Sequence, residues 1–276
     1  MGRIETVIFD WAGTTVDYGC FAPVHAFSEA FAEFGLHPTM EEIRQPMGML
    51  KIDHIRTMME MPSLKGAWHT THGRECTEEE IQKIYRTFEH RLLKSLEQFA
   101  APKEHVLETV DQLRKAHIKI GSTTGYTKGM MDIVKPAAKR RGYMPDLCIT
   151  PELVGGRGRP FPYMIFENMR LLGAASVKNV IKVGDTRADI QEGVHAGVWS
   201  VGVLEGSSQV GLSKMEFDAL APDEKQHRME EARTVFFDAG ADFVLDTLQE
   251  LPRLVDQLNR CLLYTSPSPR DPKTSR

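Results

Sequence analysis

The sequence predicts an α/β fold: a doubly wound, mostly parallel Rossmann-like sheet carrying an inserted α-helical cap domain. Two observations carry this. Short apolar runs at Thr6–Phe9, Ile118–Ser122, Leu147–Thr150, Val180–Val183, Trp199–Val203 and Phe243–Leu245 read as buried strands. Segments with helical periodicity lie between most of them: Val106–Lys115, Met130–Arg141, Met164–Leu172 and Ile190–Ala196. Strands alternating with helices give a parallel sheet covered on both faces, which binds ligands beyond the carboxyl ends of its strands.

The alternation breaks once. Between Cys20 and Ala100 no strand pattern occurs. Pro23–Gly35 reads as a helix with Phe27, Phe31 and Phe34 on one face, and Lys51–Met61 as a second. Thr77–Ala100 is the clearest helix in the chain. Thr77 and Glu80 form a capping box ahead of the stripe Ile81, Ile84, Tyr85, Phe88, Leu92 and Leu96. The division is therefore a core of residues 1–19 and 101–260, a helical cap of residues 20–100, and a tail of residues 261–276. The tail contains Ser266-Pro267-Ser268-Pro269, which cannot continue a helix. It is expected to be disordered and resembles translated cloning material. Trp68 and His69, in the cap's linker, read as packing and surface residues.

The 276 residues are 41% hydrophobic and 26% charged, enough apolar material for a sizeable core. The net charge is −4, so no basic excess exists to neutralise a nucleic-acid backbone or coat an anionic membrane. No apolar run approaches the ~20 residues of a membrane span. Arg3-Ile4-Glu5 open the chain without an apolar signal region, so a cytoplasmic location is expected. Cys20, Cys76, Cys148 and Cys261 are widely spaced, with no Cys-x-x-Cys pair. They are expected as thiols in a reducing compartment rather than zinc ligands or a disulfide framework.

Three strand ends carry chemistry. Asp10 closes the first strand, and Gly13 permits a tight turn with N–H groups exposed to an anion. The second ends in Ser122-Thr123-Thr124-Gly125-Tyr126, hydroxyls and a glycine suited to phosphate oxygens. The third ends in Gly184-Asp185-Thr186-Arg187-Ala188-Asp189, whose carboxylates suit Mg²⁺ beside a phosphate. Arg159, in Gly158-Arg159-Pro160, is a cation ahead of a helix. Each residue taken alone has a blander reading: Asp10 as a turn cap, Arg159 as a solvated charge.

In this order the residues resemble the haloacid dehalogenase superfamily of phosphoryl-transfer enzymes, over the chain up to about residue 260. The resemblance implies that Asp10 attacks phosphorus to form an aspartyl-phosphate that water hydrolyses. It also implies that Thr124 and Gly125 bind phosphate, that Asp185 binds magnesium, and that Asp189 and Thr14 support the site. One departure matters. Phosphatases of the superfamily usually carry Asp-x-Asp, the second acid protonating the departing alkoxide; here that position is Ala12. No general acid stands where an ester leaving group needs one.

A carbon leaving group has a different need: an electron sink. A lysine that condenses with an adjacent aldehyde supplies one as a protonated imine. Lys51 sits among Met47, Met49, Leu50 and Ile52, apolar neighbours that would keep its amine neutral, and His54 shares its helix face and could shuttle protons. Outside such a setting a helical lysine is solvated and a lone histidine structural. The pairing of Asp10–Thr15 with Met47–His54 resembles the phosphonoacetaldehyde hydrolase (phosphonatase) family. Gly158-Arg159-Pro160-Phe161-Pro162-Tyr163-Met164 resembles its third motif, with Tyr163 where tryptophan is common. That resemblance implies cleavage of a small-molecule phosphonate through a Schiff base on Lys51, with Cys20, Met47, His54 and Tyr126 around the aldehyde and Arg159 offsetting phosphonate charge. The backbone carbonyl of Ala12 would join Asp10 and Asp185 around Mg²⁺, and the chain would pair as a homodimer through the cap. Phe27, Phe31 and Phe34 could supply that face or the cap's own core. The alternatives are a Mg-dependent phosphatase or phosphomutase acting on a small phosphate ester, and a catalytically silent phosphoryl-ligand sensor.

Overall fold

The computed structural model describes residues 3–265. Five strands form one parallel sheet: β1 (Thr6–Phe9), β2 (Lys119–Ser122), β3 (Val180–Gly184), β4 (Trp199–Val203) and β5 (Phe243–Leu245), in the order β2-β1-β3-β4-β5. β1 lies in the interior, Phe9 registering with Ser122 on one side and Val183 on the other. The strands on either side of β1 are reached by connections running in opposite directions, so a crevice opens at its carboxyl end. Asp10, Thr123 and Asp185 follow the three strands that meet there.

Helices cover both faces. Val7 and Phe9 point into the cluster built with α6 (Val106–Lys115), α7 (Lys128–Arg140) and α12 (Leu251–Thr265). Ile8, between them, points the other way, against Ile165 of α8 (Tyr163–Leu172). The two-residue period of a strand produces this division. α9 (Arg187–Ala196) follows β3, α10 (Lys214–Ala219) lies in the segment after β4, and Phe236 of α11 (Pro222–Asp238) packs beneath Leu204. No helix among the described residues is long and apolar enough to cross a membrane.

The cap is α1 (Phe21–Ala32), α2 (Met40–Arg44), α3 (Lys51–Met59), α4 (Pro62–His72) and α5 (Glu78–Ser95), inserted between β1 and α6. α5 opens with the capping box of Thr77 and Glu80. Its Ile84, Phe88 and Leu92 are buried against α1, and Phe27 stacks on Phe88 at 4.1 Å between ring centroids. Phe27 and Phe31 are wholly buried and Phe34 packs on Trp68, so these phenylalanines build the cap's own interior. Burying each contributes about 1.5–3 kcal/mol relative to exposure.

Three sequence expectations change. Leu147–Thr150 is not a strand. It meets β2 through the single bridge Thr123–Ile149, because the Asp146 carboxylate accepts the Ile120 N–H (2.8 Å) that a neighbouring strand would use. Trp68 and His69 lie on a helix, not in a linker; Trp68 is buried and His69 exposed. The tail expected from Cys261 does not begin there. α12 runs on to Thr265, with Leu262 still packed against the core, and the rest of that segment lies outside the described residues.

Candidate active site

The loop after β1 is wound tightly. The Trp11 carbonyl accepts the N–H groups of Thr14, Thr15 and Val16 at 3.2, 2.8 and 3.0 Å. Gly13 has φ +87°, and a Cβ on it would lie 2.1 Å from Oδ2 of Asp185, so the position requires glycine on both counts. Asp185 is fixed from two sides: Thr14 Oγ1 donates to Oδ1 (2.9 Å) and the Ser208 N–H to Oδ2 (2.7 Å). Thr186 caps α9, accepting the Asp189 N–H (3.2 Å) and donating its hydroxyl to Asp189 Oδ2 (2.6 Å). Lys103, where the chain returns from the cap, braces the first loop by donating to the carbonyls of Gly13 (2.5 Å) and Glu205 (2.6 Å). Burial pushes its amine down to about 8.

Beneath Asp10 lies a buried charge network. Arg159 reaches Asp10 Oδ1 (2.6 Å) through Nη2, Asp189 Oδ1 (3.0 Å) through Nη1, and Glu192 Oε2 (3.0 Å) through Nε. Lys182 lies 2.8 Å from Asp189 Oδ1 and 3.4 Å from Glu192 Oε2. Thr123 Oγ1 accepts from both cations and donates to Glu192. Burial opposes the Asp189 anion, but Arg159 and Lys182 outweigh it and hold that carboxyl below its ordinary value. Asp10 and Asp185 differ. Burial raises both, and for Asp185 the neighbouring charges of Asp10 and Asp189 raise it further.

That imbalance bears on a metal. Carboxylate oxygens of Asp10, Asp185 and Asp189 lie within 4.8 Å of one another. Asp189 is engaged by Arg159, Lys182 and Thr186, whereas Asp10 meets Arg159 through Oδ1 alone and Asp185 has no ion pair among the described residues, so the two form a buried pair whose anions repel. Hard oxygen donors whose charge is only partly compensated fit a divalent cation.

The cap supplies the opposite wall. The cavity over Asp10 is lined by Ala12 and Arg159 of the core, by Thr124, Gly125 and Tyr126 after β2, and by Cys20, Met47, Gly48 and Lys51. A Cβ on Gly125 would lie 2.7 Å from the Met49 carbonyl, so the cap loop rests directly on the core at this point. Lys51, the first residue of α3, is 3% exposed. Its Nζ lies 3.8 Å from Met47 Sδ and over the rings of Tyr126 (5.5 Å) and Phe27 (5.7 Å). Among the described residues no carboxylate is within ion-pair distance of it. Burial holds the amine below the ordinary lysine value, against the opposing pull of Cys20 and Asp10. Burial, with the charges of Asp17 and Asp185, pushes the Cys20 thiol well up. Burial also raises the Tyr126 hydroxyl, which has no hydrogen-bond partner among the described residues.

The structure thus brings Asp10, Ala12, Cys20, Met47, Lys51, Thr124, Gly125, Tyr126 and Arg159 to one cavity. Thr14, Asp185 and Asp189 lie beside it. His54 does not line it. Its ring packs on Phe27 at 4.1 Å and Nε2 lies 2.9 Å from the Ile43 carbonyl, while Nδ1 has no partner among the described residues. Burial and then the Lys51 charge push this imidazole well below its usual value, so it is neutral and stands behind the lysine. Sequence reasoning missed Lys182 and Glu192 and, of Thr123, shows only its place in the hydroxyl run after β2. A lysine inside an apolar strand, with Glu192 one helical turn beyond Asp189, was the available signal.

Comparison with known proteins agrees with this geometry. The family model for haloacid dehalogenase-like hydrolases matches residues 7–203. Phosphonoacetaldehyde hydrolase of Lysinibacillus sphaericus is 51% identical over 257 residues, 93% of this chain and 96% of that protein. The bifunctional phosphonoacetaldehyde hydrolase/aminoethylphosphonate transaminase of Clostridioides difficile is 48% identical over 90% of this chain and 39% of its own length. The crystal structure of a phosphonoacetaldehyde hydrolase-like protein from Oleispira antarctica superposes with a TM-score of 0.93 at 37% identity, covering 97% of this chain and 96% of that one. A family model over most of the chain and relatives near 50% identity place it: the chain belongs to the haloacid dehalogenase-like hydrolase family.

Proposed function

We propose that the chain hydrolyses the P–C bond of phosphonoacetaldehyde, giving acetaldehyde and phosphate. The observation that carries this reading is a buried lysine, without an ion pair among the described residues, on the same cavity as Asp10, where Ala12 offers no acid. Relatives near 50% identity that bear this activity in their names support it.

The neutral amine of Lys51 adds to the aldehyde carbon, and loss of water gives a protonated imine. Arg159 holds Asp10 by Oδ1, fixing the carboxylate and leaving Oδ2 to attack phosphorus. The P–C bond breaks as the new P–O bond forms, and its electron pair moves into the imine to give an enamine. Protonation at carbon and hydrolysis release acetaldehyde and regenerate Lys51. Water then cleaves the aspartyl-phosphate. The charge of Arg159 offsets that of the phosphonate oxygens, which Thr124 and Gly125 receive. Mg²⁺, held by Asp10, Asp185 and the Ala12 carbonyl, would neutralise further oxyanion charge. Asp189 and Thr14 hold these groups in place. With the ring of His54 outside the cavity and its imidazole held neutral, its part is to pack behind Lys51. A homodimer joined through the cap and a cytoplasmic location complete the reading; both rest on the family resemblance alone.

The test is acetaldehyde release from phosphonoacetaldehyde with Mg²⁺, for wild type beside Lys51→Arg. Wild type should turn over, and the variant should not while keeping the wild-type circular dichroism spectrum. Undiminished turnover by Lys51→Arg would sink the imine. No acetaldehyde from folded wild type would overturn the substrate and call for a screen of phosphate esters.

A further inference from the structure

We propose that Arg44 is a positioning residue that couples seating of the cap to the placement of Asp185; the inference rests on the function proposed above. Arg44 ends α2, and the chain runs from it through Met47 and Gly48 to Lys51. Its guanidinium points out of the cap. Nη1 donates to the Gly19 carbonyl (2.7 Å), to the Ser208 carbonyl (3.2 Å) and to the Ser208 hydroxyl (3.3 Å).

Those partners join two bodies. Gly19 lies where the chain crosses from core to cap, in a segment where Asp17, Gly19 and Cys20 all adopt positive φ. Ser208 lies in the core loop after β4, and its N–H is the donor that holds Asp185 Oδ2. The same loop is tied to the crossing by Gly19 N–H to the Gly206 carbonyl (2.8 Å). One guanidinium nitrogen therefore spans the lysine-bearing loop, the hinge and the loop that orients the acidic pair.

The setting suits a contact made only when the cap is down. Phe21 covers the guanidinium at 5.0 Å, and a Cβ on Gly211 would lie 3.0 Å from Nε. Nη2 is buried and has no partner among the described residues. Among them Arg44 has no ion pair, so this half-buried cation is balanced at longer range by the carboxylates of Asp17 and Asp185. When the cap lifts, Arg44 loses Ser208, and Ser208 loses the cation that pins its carbonyl.

The experiment compares wild type, Arg44→Ala and Arg44→Lys as full chains. It measures acetaldehyde release, borohydride trapping of the imine on Lys51, and hydrogen–deuterium exchange over residues 204–211. Arg44→Ala should lower kcat about tenfold to a hundredfold, the effect of losing buried charge-assisted hydrogen bonds. It should still trap imine and should exchange faster in that loop, and Arg44→Lys should recover part of each loss. A kcat within about twofold of wild type overturns the proposal. So does loss of trapping and turnover by one factor with loop exchange unchanged, or exchange accelerated evenly through the chain, either of which marks a merely structural arginine. If wild type releases no acetaldehyde, the functional reading fails separately. The exchange comparison still decides the coupling, because loop protection needs no turnover.

Discussion

Gly48 of the cap stands so close to Thr186 of the core that a Cβ on it would lie 2.3 Å from the threonine hydroxyl. Its φ of +90° is also one that L side chains adopt only at a cost of about 1–2 kcal/mol. Gly48→Ala therefore strains the closed molecule twice, and lifting the cap relieves the contact without unfolding either part. We expect kcat for acetaldehyde release to fall at least about tenfold. The thermal midpoint should fall by only a few degrees. A variant with wild-type kcat would show that the loop moves aside and that closure does not depend on this contact.

Met47 Sδ is 3.8 Å from Lys51 Nζ, an amine that burial keeps below its ordinary value. Only the neutral amine attacks a carbonyl, so the acid limb of the pH–rate profile should lie below the ordinary lysine value of 10.5. Met47→Glu places an opposite charge beside the amine and favours its protonated form. The limb should then move to higher pH by about 1–3 units. An unmoved limb would mean that it reports some other group.

Glu192 Oε2 receives Thr123, Arg159 and Lys182 in a site with no solvent access. Glu192→Gln removes one of the three carboxylates that meet Arg159, and with it the acceptor shared by Lys182 and Thr123; breaking such a buried group costs about 3–5 kcal/mol. Urea denaturation should show a lower midpoint with an unchanged slope. Adding Lys182→Met should cost less than the sum of the two single losses, since both changes break the same contact. Additive losses in the double variant would mean that the two residues act independently.

Much of the fold was legible because its signals are local. Val7, Ile8 and Phe9 announce a strand buried on both faces, and the Thr77–Glu80 box announces the start of α5. Asp10 and Asp185 were legible for a topological reason: a parallel sheet delivers its strand ends to one place. What escaped depends on contacts made across the fold. α4 buries only Leu64 and Trp68, too few apolar positions to show a period amid Thr70, Thr71 and His72. Lys182 lay unnoticed in an apolar run because nothing nearby in sequence shows that Asp189 and Glu192 will fold back to pair with it. His54 shares a helix face with Lys51, yet Phe27 intervenes and turns the ring from the cavity; sequence spacing alone places it on the correct face and no further.

The interior position of β1 also bears on how the molecule is built. Its Phe9 finds its partners at Ser122 and Val183, each more than a hundred residues along the chain. On a ribosome adding about 5–20 residues per second, this strand waits many seconds for its first neighbour. Closing such long loops carries an entropic penalty that the ladder repays only at the end, which favours slow assembly of the sheet. The cap, complete in sequence before β2 appears, can collapse first around Phe27 and Phe88. Asp10 is thus among the earliest residues made and among the last to be set in place. A nascent chain that exposes Asp10 has not yet acquired Arg159 or Asp185, and so holds none of the apparatus that would make that carboxylate reactive.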